Sequence, residues 1–450
     1  MIEPNFLFLF FFTMALLTMG MLIFYQCDIL QPAVLMTGSM MFSALMAYIT
    51  MDRWGLPFSV DSYFLLTLAI SMFIFGSVFC SCCGFSRCRT ESKICEYRYE
   101  PKLWIVFIVI LGMILLAVLS FRELYNLSIS LGNNDGYTNI IKTIRPYIEK
   151  QTVSLSRWMN YRQTVALALA STFSYMVLFN IFHSKFKFYD LILLLPVVLY
   201  IPFMIFTTGR MAMMSFGIFI FVLGTLLYQK SQNYTKKSTY NALVFLVISG
   251  ILFITFFLFM GFFTGKIASE NHNISMILAH YAGVSLPAFD KAIHTIYTDN
   301  GFVGSHTLLG MYRILSRIGM NVPSVDIFLP FVKFNGIDTN VYTAEWRYYL
   351  DFGTFGMCAI MWTMGAAYTF FYSCIKYSSS SAFFLILYSS IAFPLFLSSI
   401  DERFFLDLFG TAILYDIILI LLFKWLIIDK SRVCQEFCVN RFNKQHRIAA

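Results

Sequence analysis

Apolar runs of about twenty residues recur along this chain, and they limit what it can become more than any other feature. At 1.5 Å of rise per residue, a helix of roughly 20 residues crosses a hydrocarbon core of about 30 Å. Runs of that kind lie at about 6–24, 33–50, 61–80, 103–121, 164–182, 190–206, 211–228, 242–263, 352–375, 382–399 and 407–427. In lipid the backbone finds no water to bond, so each run must satisfy itself as a helix. The chain therefore reads as an all-α polytopic membrane protein of about 11 transmembrane helices, a single integral membrane domain over 1–450. Composition agrees, because 59% hydrophobic residues and only 12% charged ones exceed what a water-soluble fold can bury. No Lys or Arg precedes the first run, so it does not read as a cleaved signal peptide.

Charge sets the expected orientation. The connection 81–102 carries Arg87, Arg89, Lys93, Arg98 and Lys102, and 183–189 carries Lys185 and Lys187. Lys230, Lys236 and Lys237 follow in 229–241, then Lys376, and finally a 428–450 tail with Lys430, Arg432, Arg441, Lys444 and Arg447. The short turns on the opposite side hold only Arg53, Arg210 and Arg403. The positive-inside rule places the basic set in the cytoplasm, with the N-terminus outside and the tail inside. The net charge of +8 is largely this signal, and no nucleic-acid partner is needed to explain it. All ten cysteines fall in helices or on the inner side, as reduced thiols should. The cluster "CSCCGFSRC" at 80–88 lacks the paired CxxC spacing of a structural zinc site, so no metal is expected.

Two outer connections are unusually long, 122–163 and 264–351. Long connections in compact proteins tend to carry function. No GxxxxGK[ST], HExxH or GxSxG motif is present, which argues against an ATP-driven pump or a zinc hydrolase. What the outer side offers is arginines, a few histidines, tyrosines and carboxylates.

"FTTGRMAMMS" at 206–215 puts Arg210 at the start of a helix, behind Thr208 and Gly209. A cation there opposes the helix dipole, so helix stability does not select it. Free N–H groups at a helix start attract anions, and an arginine beside them strengthens that preference. In "HTLLGMYRILSRIGM" at 306–320, Arg313 and Arg317 fall four apart on one helical face, a mildly repulsive spacing that a bridging anion would reverse. Guanidinium forks match phosphate oxygens, so a diphosphate is the natural candidate. "AHYAGVSLPAFDKAIHTIY" at 279–297 brings His280, Asp290 and His294. "NVYTAEWRYYLDFGTFG" at 340–356 brings Tyr342, Glu345, Arg347 and Asp351, followed by Gly353 and Gly356.

These residues resemble a known family, the bacterial oligosaccharide repeat-unit polymerases, or Wzy-type O-antigen polymerases of lipopolysaccharide biosynthesis. The shared features are the Thr208-Gly209-Arg210 turn between consecutive helices, a large outer loop, and the "NVYT…DFGTFG" run leading into the next helix. The resemblance implies a glycosyltransferase of the inner membrane with a periplasmic active site and a helix arrangement like that of the type-C glycosyltransferases. It implies undecaprenyl-diphosphate-linked oligosaccharides as substrates and membrane lipids around them. A chain-length regulator and a flippase are the implied partners, and no cofactor is used. By the match, Arg210 is the arginine of the turn, and Tyr342, Asp351 and Gly353 belong to the run. Met211 departs from relatives that place a small residue after the arginine.

The expected chemistry is attack of a sugar hydroxyl on an anomeric carbon with loss of a lipid diphosphate. Arg210, helped by Arg313, Arg317 or Arg347, would stabilise the departing charge. A base must take the hydroxyl proton; His280 is the first candidate, with Glu345 or Asp351 next. An O-antigen ligase, which uses the same donor, is one alternative. A flippase or other transporter is another, with Asp416 in the last run and Lys424 near its end as intramembrane charges.

Overall fold

The computed structural model describes residues 5–83, 97–133, 136–137, 139–149, 152–184, 186–207, 211–232, 234–235, 238–242, 244, 250, 274–295, 303–322, 329–377 and 381–434. Its helices are α1 (Phe6–Phe24), α2 (Pro32–Trp54), α3 (Val60–Cys82), α4 (Leu103–Ser130), α5 (Ile140–Glu149), α6 (Arg157–His183), α7 (Phe188–Val198), α8 (Ile201–Phe206) and α9 (Met211–Ser231). They continue as α10 (Ile274–Ala282), α11 (Ser285–Ile293), α12 (Leu309–Arg317), α13 (Ala344–Tyr377), α14 (Ala382–Ile391), α15 (Phe393–Leu397), α16 (Phe404–Leu408) and α17 (Thr411–Phe423). Strand β1 (Tyr97–Tyr99) pairs antiparallel with β4 (Arg432–Cys434), and β2 (Val332–Phe334) with β3 (Ile337–Thr339). Among the described residues, 8 helical spans are long and apolar enough to cross a membrane. The chain is an all-α polytopic membrane protein. Most of the run at 242–263 lies outside the described residues.

The chain divides into two compact units. The first comprises Met1–Arg89, Ser269–Ser378 and Ile391–Leu414. Its backbone is the pair α3 and α13, which run parallel: Phe73 faces Gly365 and Ser77 faces Thr369. A Cβ on Gly76 would lie 2.0 Å from the Trp362 carbonyl oxygen, and one on Gly365 2.0 Å from that of Phe73. Only glycine allows this approach, and close backbone contact is what holds helices together where lipid removes the hydrophobic drive. Hydroxyls add to it, since Thr369 donates to Ser77 at 2.8 Å and Tyr25 shares a bond with Ser77 at 3.1 Å. At one end Asp28, 4% exposed, accepts from the Tyr372 hydroxyl at 2.7 Å and from Lys376 at 2.5 Å. Ser59 caps the other end of α3 by accepting from the Ser62 N–H at 3.3 Å.

The second unit comprises Thr90–Ala268, Ser379–Ser390 and Tyr415–Ala450. Leu124, Ile140, Ile144 and Met159 form a buried cluster that joins α4, α5 and α6. Arg162 pairs with Glu123 and donates to Ser120 at 2.9 Å. At one end, Arg98 meets Asp190 at 2.6 Å with both side chains buried, and Asn180 donates to Asp190 and to the Tyr99 carbonyl, each at 2.9 Å. Lys187 reaches Glu100 at 2.8 Å, and Lys424 reaches Asp429 at 2.7 Å. The connections at 97–102, 184–190 and 429–434 therefore gather at one end of this unit, and all three belong to the set that charge assigns to one side of the membrane.

The stretches read as outer loops contain much helix. α4 continues to Ser130 and α6 starts at Arg157, with α5 between them, so polar residues end the apolar runs without ending the helices. α13 likewise starts at Ala344, well before the apolar run at 352–375.

Candidate functional site

The run at 340–356 is shaped by one glycine. Gly353 holds φ 64° and ψ −168°, a conformation open essentially to glycine alone, and it separates a short limb of α13 from the long one. The first residues of the short limb, Ala344 to Tyr348, are buried. The Tyr342 hydroxyl donates to the Pro330 carbonyl at 2.7 Å, and its ring stacks near Trp346 with centroids 6.1 Å apart. Arg347, 3% exposed, donates to the His306 carbonyl at 3.3 Å, while its own carbonyl accepts from Thr307 Oγ1 at 3.1 Å. Asp351 accepts from the Thr307 N–H at 2.6 Å and from the His306 N–H at 3.2 Å. The limb is thus bound to residues 306–307 by charged side chains on successive turns.

The next face of the short limb meets the connection at 398–403. Tyr348 O–H donates to Glu402 Oε1 at 3.0 Å, and the Ala344 N–H donates to the Ser398 carbonyl at 2.8 Å. Glu402, 1% exposed, also accepts from the backbone N–H groups of Phe405 at 2.7 Å and Leu406 at 3.0 Å. Burial pushes its carboxyl up to about 7, against the opposing pull of those donors and of Arg347. Arg403 pairs with Asp401 at 2.8 Å and lies 3.7 Å from Asp407. Burial pulls Arg403 down, but Asp401, Asp407 and Glu402 outweigh it and hold the guanidinium above its ordinary value. Tyr348, Asp401, Glu402 and Arg403 line one side of a cavity whose other walls include Met36, Met361 and Met364.

Serines bind further segments to α2 nearby. Ser39 and Ser398 share a hydrogen bond at 3.2 Å, Ser43 donates to the Ala282 carbonyl at 2.5 Å, and Ser285 donates to the Ser399 carbonyl. Ser43 stands eleven residues before Trp54, about 16 Å along the axis of α2. The turn between α10 and α11 therefore reaches the middle of that helix. α11 returns toward α3, where Asp290 accepts from the Ser59 N–H and the Ser62 hydroxyl, each at 2.7 Å.

Of the residues singled out in the sequence, Glu345, Arg347 and Asp351 share the short limb of α13, and Tyr342 stands two residues before it. Glu345 is fully buried; Thr343 and its own backbone are the polar groups beside it, and neither reaches ordinary hydrogen-bond geometry. His280 packs edge-on to Trp54 with ring centroids 6.2 Å apart, at the far end of α2 from Met36 and the cavity. Arg313 and Arg317 are exposed on α12, which packs on α16. Thr208, Gly209 and Arg210 lie outside the described residues. Asp416 stands on α17, where its charge faces Tyr200 in the second unit.

Sequence reasoning missed Tyr348, Glu402 and Arg403. The available signal was "DERFF" at 401–405, two acids and an arginine within a connection of a few residues between apolar runs. Ionisable residues buried in a membrane-spanning body are expensive and mark function by default. Here a buried carboxylate, a phenol, the Asp401 carboxylate and the Arg403 guanidinium border a cavity, an arrangement able to receive a hydroxyl and to exchange a proton. Among the described residues no group of three or more His, Cys, Asp or Glu is placed to hold a metal ion. No protein-family model matches the chain, and neither does any curated protein or solved structure.

Proposed function

We propose that this protein polymerises undecaprenyl-diphosphate-linked oligosaccharide repeat units at the periplasmic face of a bacterial inner membrane, in the assembly of O-antigen or a related surface polysaccharide. The observation that carries this reading is the short limb of α13, where the run resembling the polymerases presents Arg347 and Tyr348 to a buried polar site within an apolar helical body. In such a reaction the anomeric carbon of the growing glycan leaves its lipid diphosphate and joins a hydroxyl of the next lipid-linked unit. Arginines offset the charge that grows on the diphosphate, and each well-placed donor of that kind contributes about 3 to 4 kcal/mol to the transition state. Arg210 takes that role by the resemblance.

The test is a deletion strain complemented with the wild-type gene, Arg210→Ala or Arg210→Lys. Under this reading the deletion and Arg210→Ala leave surface glycan with a single repeat unit, and Arg210→Lys recovers little, because a lysine cannot grip two oxygens of one phosphate in a planar fork. Full-length polymer in the deletion strain overturns the reading. Loss of every repeat, including the first, would identify a ligase instead.

A further inference from the structure

We infer that Glu402 accepts the proton of the sugar hydroxyl that enters the cavity beside Tyr348, an inference that rests on the polymerase reading above. A carboxylate offers about four acceptor positions. Three are occupied, by Tyr348 O–H and the N–H groups of Phe405 and Leu406, and the Glu402 side chain borders the cavity. One acceptor position is left for a bound hydroxyl.

The two backbone bonds also cap the first turn of α16, but capping alone does not call for this residue. Caps are ordinarily short Ser, Thr, Asp or Asn side chains, whereas this is a longer carboxylate buried to 1% exposure against a cavity. The charged groups that act on it are Arg347 from α13 and Arg403 from its own connection, and Arg403 is in turn held by Asp401 and by Asp407 of α16; Tyr348 and, behind it, Glu345 complete the set. Burial opposes full ionisation while the two backbone N–H groups, Tyr348 and Arg347 oppose full neutralisation, so the group exchanges a proton near neutrality, as a general base must. Neither Asp351 nor His280 lines the cavity.

In the step itself, the hydroxyl oxygen forms a bond to the anomeric carbon while the bond from that carbon to the diphosphate oxygen breaks. The electron pair of the broken bond leaves with the lipid diphosphate. The hydroxyl proton passes to Glu402 and is released to water before the next turnover. Tyr348 is a positioning residue that orients the carboxylate.

Full-length protein in lipid nanodiscs, supplied with undecaprenyl-diphosphate-linked single repeat units, tests the assignment. Glu402→Gln keeps an oxygen to cap α16 but cannot take a proton; turnover should fall about 100-fold or more while donor binding and the thermal midpoint stay near wild type. Near-wild-type turnover in Glu402→Gln, or a joint loss of turnover, binding and midpoint, overturns the role. Tyr348→Phe provides a second route if Glu402→Gln fails to fold. Removing one donor to the ionised carboxylate should move the acid limb of kcat/KM to higher pH, and an unmoved limb counts against the role. If wild-type protein makes no polymer and the deletion strain retains full chains, the polymerase reading itself has failed. A polymerising wild type with an equally active Glu402→Gln removes this inference alone.

Discussion

Arg347 and Asp351, one helical turn apart on α13, close on the same two residues from opposite chemical sides: the guanidinium donates to the His306 carbonyl, and the carboxylate accepts from the His306 and Thr307 N–H groups. Hydrogen bonds to charged groups contribute about 1.5 to 3 kcal/mol each. Asp351→Ala should therefore loosen residues 304–308 and increase their amide exchange at least tenfold, with little change in the long limb of α13. Hydrogen-exchange mass spectrometry reads both regions in one experiment. Unchanged exchange at 304–308 would remove the proposed clasp.

Gly353→Ala tests the bend of α13. No atom lies within 4 Å of where its Cβ would sit, so any loss comes from the backbone alone. A non-glycine residue at φ 64° and ψ −168° costs about 1 to 3 kcal/mol. The thermal midpoint should fall by a few degrees and polymer length should shorten, while Gly112→Ala, in open space on α4, should leave both unchanged.

The ion pair of Asp28 with Lys376 predicts an asymmetric response. Removing one partner leaves a buried charge uncompensated, which destabilises by about 3 to 5 kcal/mol, whereas removing both together is often nearly neutral. Lys376→Met should lower the unfolding temperature in detergent clearly more than Asp28→Asn combined with Lys376→Met. Equal losses in the single and double variants would show that an uncompensated Asp28 carries no added penalty.

Glu402 also predicts how stability follows pH. Its carboxyl is raised from 4.5 to about 7 in the folded protein, so the native state holds a proton that the unfolded chain has released. The contribution is fully present below about pH 4.5 and is lost as pH rises through about 7. The thermal midpoint of wild type should decline over that window, and Glu402→Gln should flatten the decline. An identical slope in the variant would contradict the assigned environment.

The membrane class was legible from hydropathy, and the apolar runs coincide closely with α1, α2 and α3, whose charges lie beyond or near their ends. Where charges sit inside a helix the reading stopped early. Arg122 and Glu123 closed the fourth run at about 121, but the helix continues to Ser130, and Glu123 is satisfied by Arg162 rather than by water. The short limb of α13 was read as loop because Glu345, Arg347 and Asp351 interrupt its hydropathy, although the same residues were chosen as candidates for chemistry. The surroundings of Glu402 were not legible for another reason. Its partners come from residues 348 and 405–406, and no local pattern records a contact between positions 54 apart.

The parallel fit of α3 against α13 links helices whose contacting residues, such as Ser77 and Thr369, are separated by 292 positions. A ribosome adding about 5 to 20 residues per second needs on the order of tens of seconds to cover that interval. During biosynthesis the groove at Gly76 must wait, facing lipid or an insertion chaperone, until the late helix arrives. Truncated chains ending before residue 344 should therefore be recognised by membrane quality control even though their first three helices are complete.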